Sequence, residues 1–95
     1  MSSFVLSFRS APDVMASQEE IDAWGAWFQG LGSSIVDMGS RVGDVTLLGA
    51  SAGANALSGY TIIEAKDGAA ALDIAKGSPG LTYGGSVEVG QLIAM

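Results

Sequence analysis

The chain has no cysteine and no histidine among its 95 residues. The first absence excludes disulfides, thiolate nucleophiles and cysteine metal sites. The second removes the side chain most often used as a general acid or base near neutral pH. Basic residues are scarce as well: Arg9, Arg41, Lys66 and Lys76 face 10 acidic side chains, for a formal net charge of −6. Lacking a clustered basic surface, the chain is expected to bind neither nucleic acid nor an anionic membrane surface. No apolar run reaches the ~18 to 20 residues of a membrane span. Met1-Ser2-Ser3-Phe4 carries no basic segment leading into an apolar one, so a cytoplasmic location is expected. No cofactor is expected.

Charged residues are also few, at 15%, whereas 48% are hydrophobic. A chain this short builds one core and leaves much of its surface outside it, so residues 1–95 are read as a single domain. Apolar surface in excess of that core needs a cover, and a second copy of the chain supplies one. A homodimer is the expectation.

Alternation in Ser3 to Arg9 sets Phe4, Leu6 and Phe8 on one side and Val5, Ser7 and Arg9 on the other, the period of a strand. Ala11-Pro12-Asp13 interrupts it. Ser17-Gln18-Glu19-Glu20 then reads as a capping box that opens a helix to Leu31, with Ile21, Trp24, Phe28 and Leu31 in one stripe and Gly32 as its stop. Ile35-Val36-Asp37 reads as a short strand, Met38-Gly39-Ser40 as a turn, and Val42 to Leu48 as a second, weak strand. The small residues of 49–56 suit a loop. Leu57 to Ala65 reads as a central strand, Asp67 caps a helix through Lys76, and Gly85 to Ile93 forms the last strand. Ala71, Leu72 and Ala75 are the residues of that second helix available for packing.

The fold class that follows is α+β: a ferredoxin-like β-α-β-β-α-β order, two helices on one face of an antiparallel sheet. The other face bears Val and Ile side chains, and sheet-to-sheet pairing in the dimer would cover it.

Gly59-Tyr60-Thr61-Ile62-Ile63-Glu64-Ala65, Ala75-Lys76-Gly77-Ser78-Pro79 and Gly84-Gly85-Ser86-Val87-Glu88-Val89 resemble the closing half of the YCII-related family. Trp24-Gly25-Ala26-Trp27-Phe28 and Val36-Asp37 fall where that family has its first helix and second strand. The resemblance implies a dimeric α+β barrel, two ferredoxin-like chains joined through their sheets. It also implies an acid/base pair, a first-helix histidine and a following aspartate. Here Trp24 occupies the histidine position and Asp37 matches the aspartate. The family's Asp-Gly-Pro-Phe motif is replaced by Asn55-Ala56-Leu57-Ser58.

Gly49-Ala50-Ser51-Ala52-Gly53 matches the G-x-S-x-G nucleophile elbow, but the serine has no histidine to activate it and the chain is too short for a hydrolase sheet. It reads as a small-residue loop. Asp37, after an apolar pair at a strand end, is the candidate general base, with a turn-capping carboxylate bonded near Gly39 as the alternative. Arg9 and Arg41 are the only arginines able to receive an anion in two-point fashion, and Arg9, beside the uncovered sheet face, is the first choice. Tyr60, Tyr83, Trp24 and Trp27 could line an apolar cleft; Trp27, off the helix stripe, is a pocket wall or an interface residue. Glu88 faces away from Val87 and Val89, either into an enclosed site beside Arg9 or at a solvated sheet edge. The expected function is binding of a small organic molecule by a dimer, through Arg9, Tyr60, Glu88 and Trp27, with acid/base chemistry at Asp37. The alternative is a non-catalytic structural or regulatory dimer.

Overall fold

The computed structural model describes residues 1–12, 14–50 and 53–94. Strand β1 (Ser2–Ser10) leads into helix α1 (Gln18–Leu31), and β2 (Ile35–Arg41) follows after one 3-10 turn at Gly32–Ser34. Then come β3 (Ala56–Ala65), α2 (Gly68–Lys76), a second 3-10 turn at Pro79–Leu81 and β4 (Ser86–Gln91). The strands form one antiparallel sheet in the order β2-β3-β1-β4. This α+β arrangement is compatible with a ferredoxin-like fold.

Local chemistry places both helices. Ser17 Oγ accepts from the Glu20 amide at 3.2 Å, and Gly32 ends α1 with φ at 51°. The Glu20 carboxylate does not return to the cap; it accepts from Trp24 Nε1 at 3.0 Å. Asp67 Oδ1 accepts from the Ala70 amide at 2.9 Å and Gly77 caps the other end of α2.

The core lies between the sheet and the helices. Phe4, Leu6 and Phe8 of β1 interleave with Ile63 and Ala65 of β3, and Ala71 and Ala75 of α2 close over them. Leu6 and Ile63 are fully buried, and side chains of this size contribute about 1.5–3 kcal/mol each by leaving water. Leu72, expected to pack, faces solvent, and Ile74 takes its place against the core. Helix α1 has no fully buried residue. It holds to the sheet through an aromatic cluster in which Phe8 meets Trp24 edge-on at 4.9 Å and Trp24 stacks on Phe28 at 5.7 Å.

Two expectations for the middle of the chain are corrected. Met38-Gly39-Ser40 is not a turn between strands; β2 runs through it with register shifts on either side of Asp37, and Gly39 takes φ of 70°. Val42 to Leu48 is not a strand. After the Val42 amide bonds Ser58 O the pairing ends, and β3 is flanked on both sides by β2 and β1. The last strand is also shorter than expected, ending at Gln91. Of the small-residue stretch at 49–56, Ser51 and Ala52 lie outside the described residues, as does Asp13 in the break after β1. Among the described residues no helix is long and apolar enough to cross a membrane.

Candidate functional site

Cross-strand pairing assigns each β residue to a face. Phe8, which packs towards the helices, pairs with Gly59 and Val87, and Gly59 pairs with Arg41. Arg41 therefore belongs to the helix-covered face. One residue along, Ser7 pairs with Tyr60 and Glu88, and Tyr60 with Ser40; these form a row on the open face. Val5 and Ile62 continue that open face, and Asp37 sits opposite Ile62.

Arg9 and Glu88 meet on the open face. Arg9 pairs with Ser86, Glu88 lies one rung diagonally away, and Arg9 Nε donates to the Glu88 carboxylate. The pair is formed while the arginine is half-buried and the glutamate largely exposed. Tyr60 is exposed on the same face, its ring edge lying over Gly39, where a β-carbon would come within 2.9 Å of Tyr60 Cδ2. Asp37 is exposed and accepts from the Gly39 amide at 2.8 Å. That bond is the turn-capping arrangement, and it serves the bulge that Gly39 makes in β2. Trp27 packs in the aromatic cluster between the helices, its indole nitrogen close to Gly77 at the end of α2. The structure thus joins Arg9 to Glu88 and leaves Asp37 and Trp27 apart from them.

A groove of about 860 Å³ opens at the end of the sheet where β1 and β2 finish and α1 begins. Phe8, Gly59 and Thr61 make its floor, and Ile21, Trp24 and Phe28 of α1 make one wall. Met38 and Arg41 of β2 form the other, while Val14 and Met15 border the entrance from the β1–α1 connection. Tyr60 and Arg9 also border it. The groove exists because α1 touches the sheet through large rings at one place instead of lying flat on it. Thr61 fixes the β2 wall, its buried hydroxyl donating to Met38 O at 3.0 Å.

Besides Arg9 and the Glu20 carboxylate, two further groups give the groove polarity. The Arg41 side chain has no ion-pair or hydrogen-bond partner among the described residues. Tyr83, at the β4 side, has its phenol held above the ordinary 10.0, first by partial burial and then by the carboxylates of Glu19 and Glu20. A phenol so held stays protonated and able to donate. Among the described residues no three carboxylates converge in a way that would hold a metal ion.

The sequence ranks Arg9 ahead of Arg41 because Arg9 sits at a strand end beside the uncovered sheet face, whereas Arg41 follows a stretch read as a turn. β2 instead continues through that stretch, with register shifts on either side of Asp37 that put Asp37 on the open face and Arg41, like Ile35, on the helix-covered one. Comparison with family models, with curated proteins and with solved structures finds no match to this chain.

Proposed function

We propose that the chain is a homodimeric binding module that takes a small organic molecule in the groove between α1 and the sheet. The observation that carries this reading is the groove itself. Its volume, about 860 Å³, lies in the range of small-molecule sites, and its walls are aromatic and aliphatic with a few convergent polar groups. The dimeric α+β barrel implied by the YCII-related resemblance belongs to the same proposal. In its favour are the strand order and the uncovered sheet face on which Val5, Ile62 and Tyr60 lie.

Binding is favoured over acid/base turnover. Asp37 is engaged by the Gly39 amide and Glu88 by Arg9, so neither carboxylate is aimed free into the groove. The same engagement supports the second reading, a dimer of structural or regulatory role. The two are separated by screening small aromatic and aliphatic compounds while following the indole signals of Trp24 and Trp27 by NMR. A ligand site predicts that Trp24 responds and Trp27, away from the groove, does so less; a purely structural module responds to none. Light scattering at low micromolar concentration tests the dimer, with twice the 9.6 kDa chain mass expected for the native protein and a single chain for Ile62→Asp.

A further inference from the structure

We propose that the groove selects a planar aromatic carboxylate, with its ring against Trp24 and Ile21 and its carboxylate received by Arg41. This rests on the reading of the groove as a ligand site and names the chemistry it prefers.

The argument starts from charge. The chain carries a net charge of −6 and four basic residues in all. Two of them are already engaged: Arg9 with Glu88, and Lys76 with Asp73 at 3.7 Å. Arg41, one of the remaining two, stands at the groove wall and its side chain forms no ion pair among the described residues, although acidic residues outnumber basic ones by 10 to 4 and Asp44 borders the adjoining depression with it. Glu20, the glutamate that lines the groove, accepts from the Trp24 indole on the α1 wall. A guanidinium left unpaired in an acidic protein, at the rim of an apolar groove, is complementary to an anion that brings its own apolar body.

Geometry adds the second half. The cross-strand neighbour of Arg41 is Gly59, which is buried and has no side chain to stand between the arginine and the groove floor. A β-carbon at 59 would approach Ser40 O to 3.1 Å and crowd the β2 backbone next to Arg41. Tyr83 provides a second donor on the far side, its phenol protonated at neutral pH. The walls between them are rings and aliphatic chains, which favour a flat apolar body over a sugar or a nucleotide.

The test compares 1-naphthoate with the neutral 1-naphthalenemethanol by NMR titration of the full chain, native and Arg41→Gln. Arg41 is exposed, so Arg41→Gln is expected to keep the native fold, which its amide spectrum checks before titration. The expected result is that naphthoate shifts the Trp24 indole and Thr61 signals and binds about tenfold tighter than the alcohol, with Arg41→Gln removing that preference. Equal binding of the two compounds, or a naphthoate preference that survives Arg41→Gln, overturns the carboxylate assignment and leaves the groove as a ligand site. Shifts confined to the open sheet face overturn it as well. Absence of binding by either compound overturns both this inference and the ligand-site reading.

Discussion

Arg9 donates through Nε to the Glu88 carboxylate across the β1–β4 boundary of the open sheet face. In the single chain the two side chains are 28% and 63% exposed, so water screens most of their attraction. A double-mutant cycle with Arg9→Met and Glu88→Gln, read by urea unfolding of dilute protein, should give a coupling of about 0.5 kcal/mol. At concentrations where the proposed dimer forms, the facing sheet excludes water and the coupling should rise. An equal coupling at all concentrations would place the pair outside the interface.

Thr61 and Met38 hold the β2 edge to the sheet by a side-chain bond rather than by strand pairing alone. Thr61→Val keeps the volume and removes the donor that Met38 O accepts from. The expected loss is about 1 kcal/mol, because one hydrogen bond disappears and a partly buried carbonyl is left unsatisfied. Amide exchange should accelerate at Met38 to Arg41 while that of Leu6 and Ile63 follows only the global stability.

Much of this fold was legible because three signals agree with what the helices bury. Phe4, Leu6 and Phe8 alternate and are the buried face of β1; Ser17 and Asp67 cap the helices they were expected to cap. The arrangement of Val87 and Val89 towards the helices, which turns Glu88 to Arg9, follows from the same period of two. β2 was not legible. Its pattern is broken by register shifts whose cause is tertiary: Gly39 is held under Tyr60, and a periodicity argument has no access to a neighbour on another strand. The groove was legible in part: Trp24, Tyr60 and Tyr83, which read as able to line an apolar cleft, border it, whereas Trp27 does not and Ile21 reads as part of the helix stripe alone. Ile21 belongs to the apolar stripe of α1, yet while Trp24 and Phe28 pack on Phe8 it borders the groove, about half exposed, instead of packing into the core.

Gly39 is the position where the backbone conformation itself is at stake. Its φ of 70° suits glycine, and a β-carbon there would collide with the Tyr60 carbonyl. Gly39→Ala should destabilise by about 3 kcal/mol, from left-handed strain and from displacement of β2 against β3. Asp37→Asn, by contrast, keeps an oxygen for the Gly39 amide and should change stability by less than about 0.5 kcal/mol. Thermal unfolding of the two variants side by side checks the assignment of Asp37 as the cap of this bulge.

Tyr83 should ionise above 10.0 in an alkaline titration followed by phenolate absorbance, and Tyr83→Phe should remove that late component. The folded chain holds this proton more tightly than the unfolded one. The stability the phenol contributes is therefore complete below the unfolded value and is lost as pH rises through the higher folded value. Glu19→Gln should lower the Tyr83 value towards 10.0 by removing one of the two carboxylates that raise it, although partial burial, the larger cause, remains.

Ser78 shows how a groove-side turn can be less than optimally satisfied. Its side chain is 3% exposed, and Oγ has no hydrogen-bond partner among the described residues. It lies in the turn after α2, where its amide bonds Ala75 O at 3.0 Å and its carbonyl accepts from the Leu81 amide at 3.2 Å, so the backbone holds the conformation without the hydroxyl. Neighbouring Gly80 faces the Trp24 ring, at a distance of 3.1 Å from where a β-carbon would sit. Ser78→Ala therefore removes an unpaired buried oxygen and keeps the turn, and it should stabilise the chain by about 1 kcal/mol. For a domain of this size that gain raises the unfolding midpoint by about 4–8 °C. A fall in the midpoint would mean that the hydroxyl is bonded through water to a group the turn needs, and the Trp24 wall of the groove would then depend on that water.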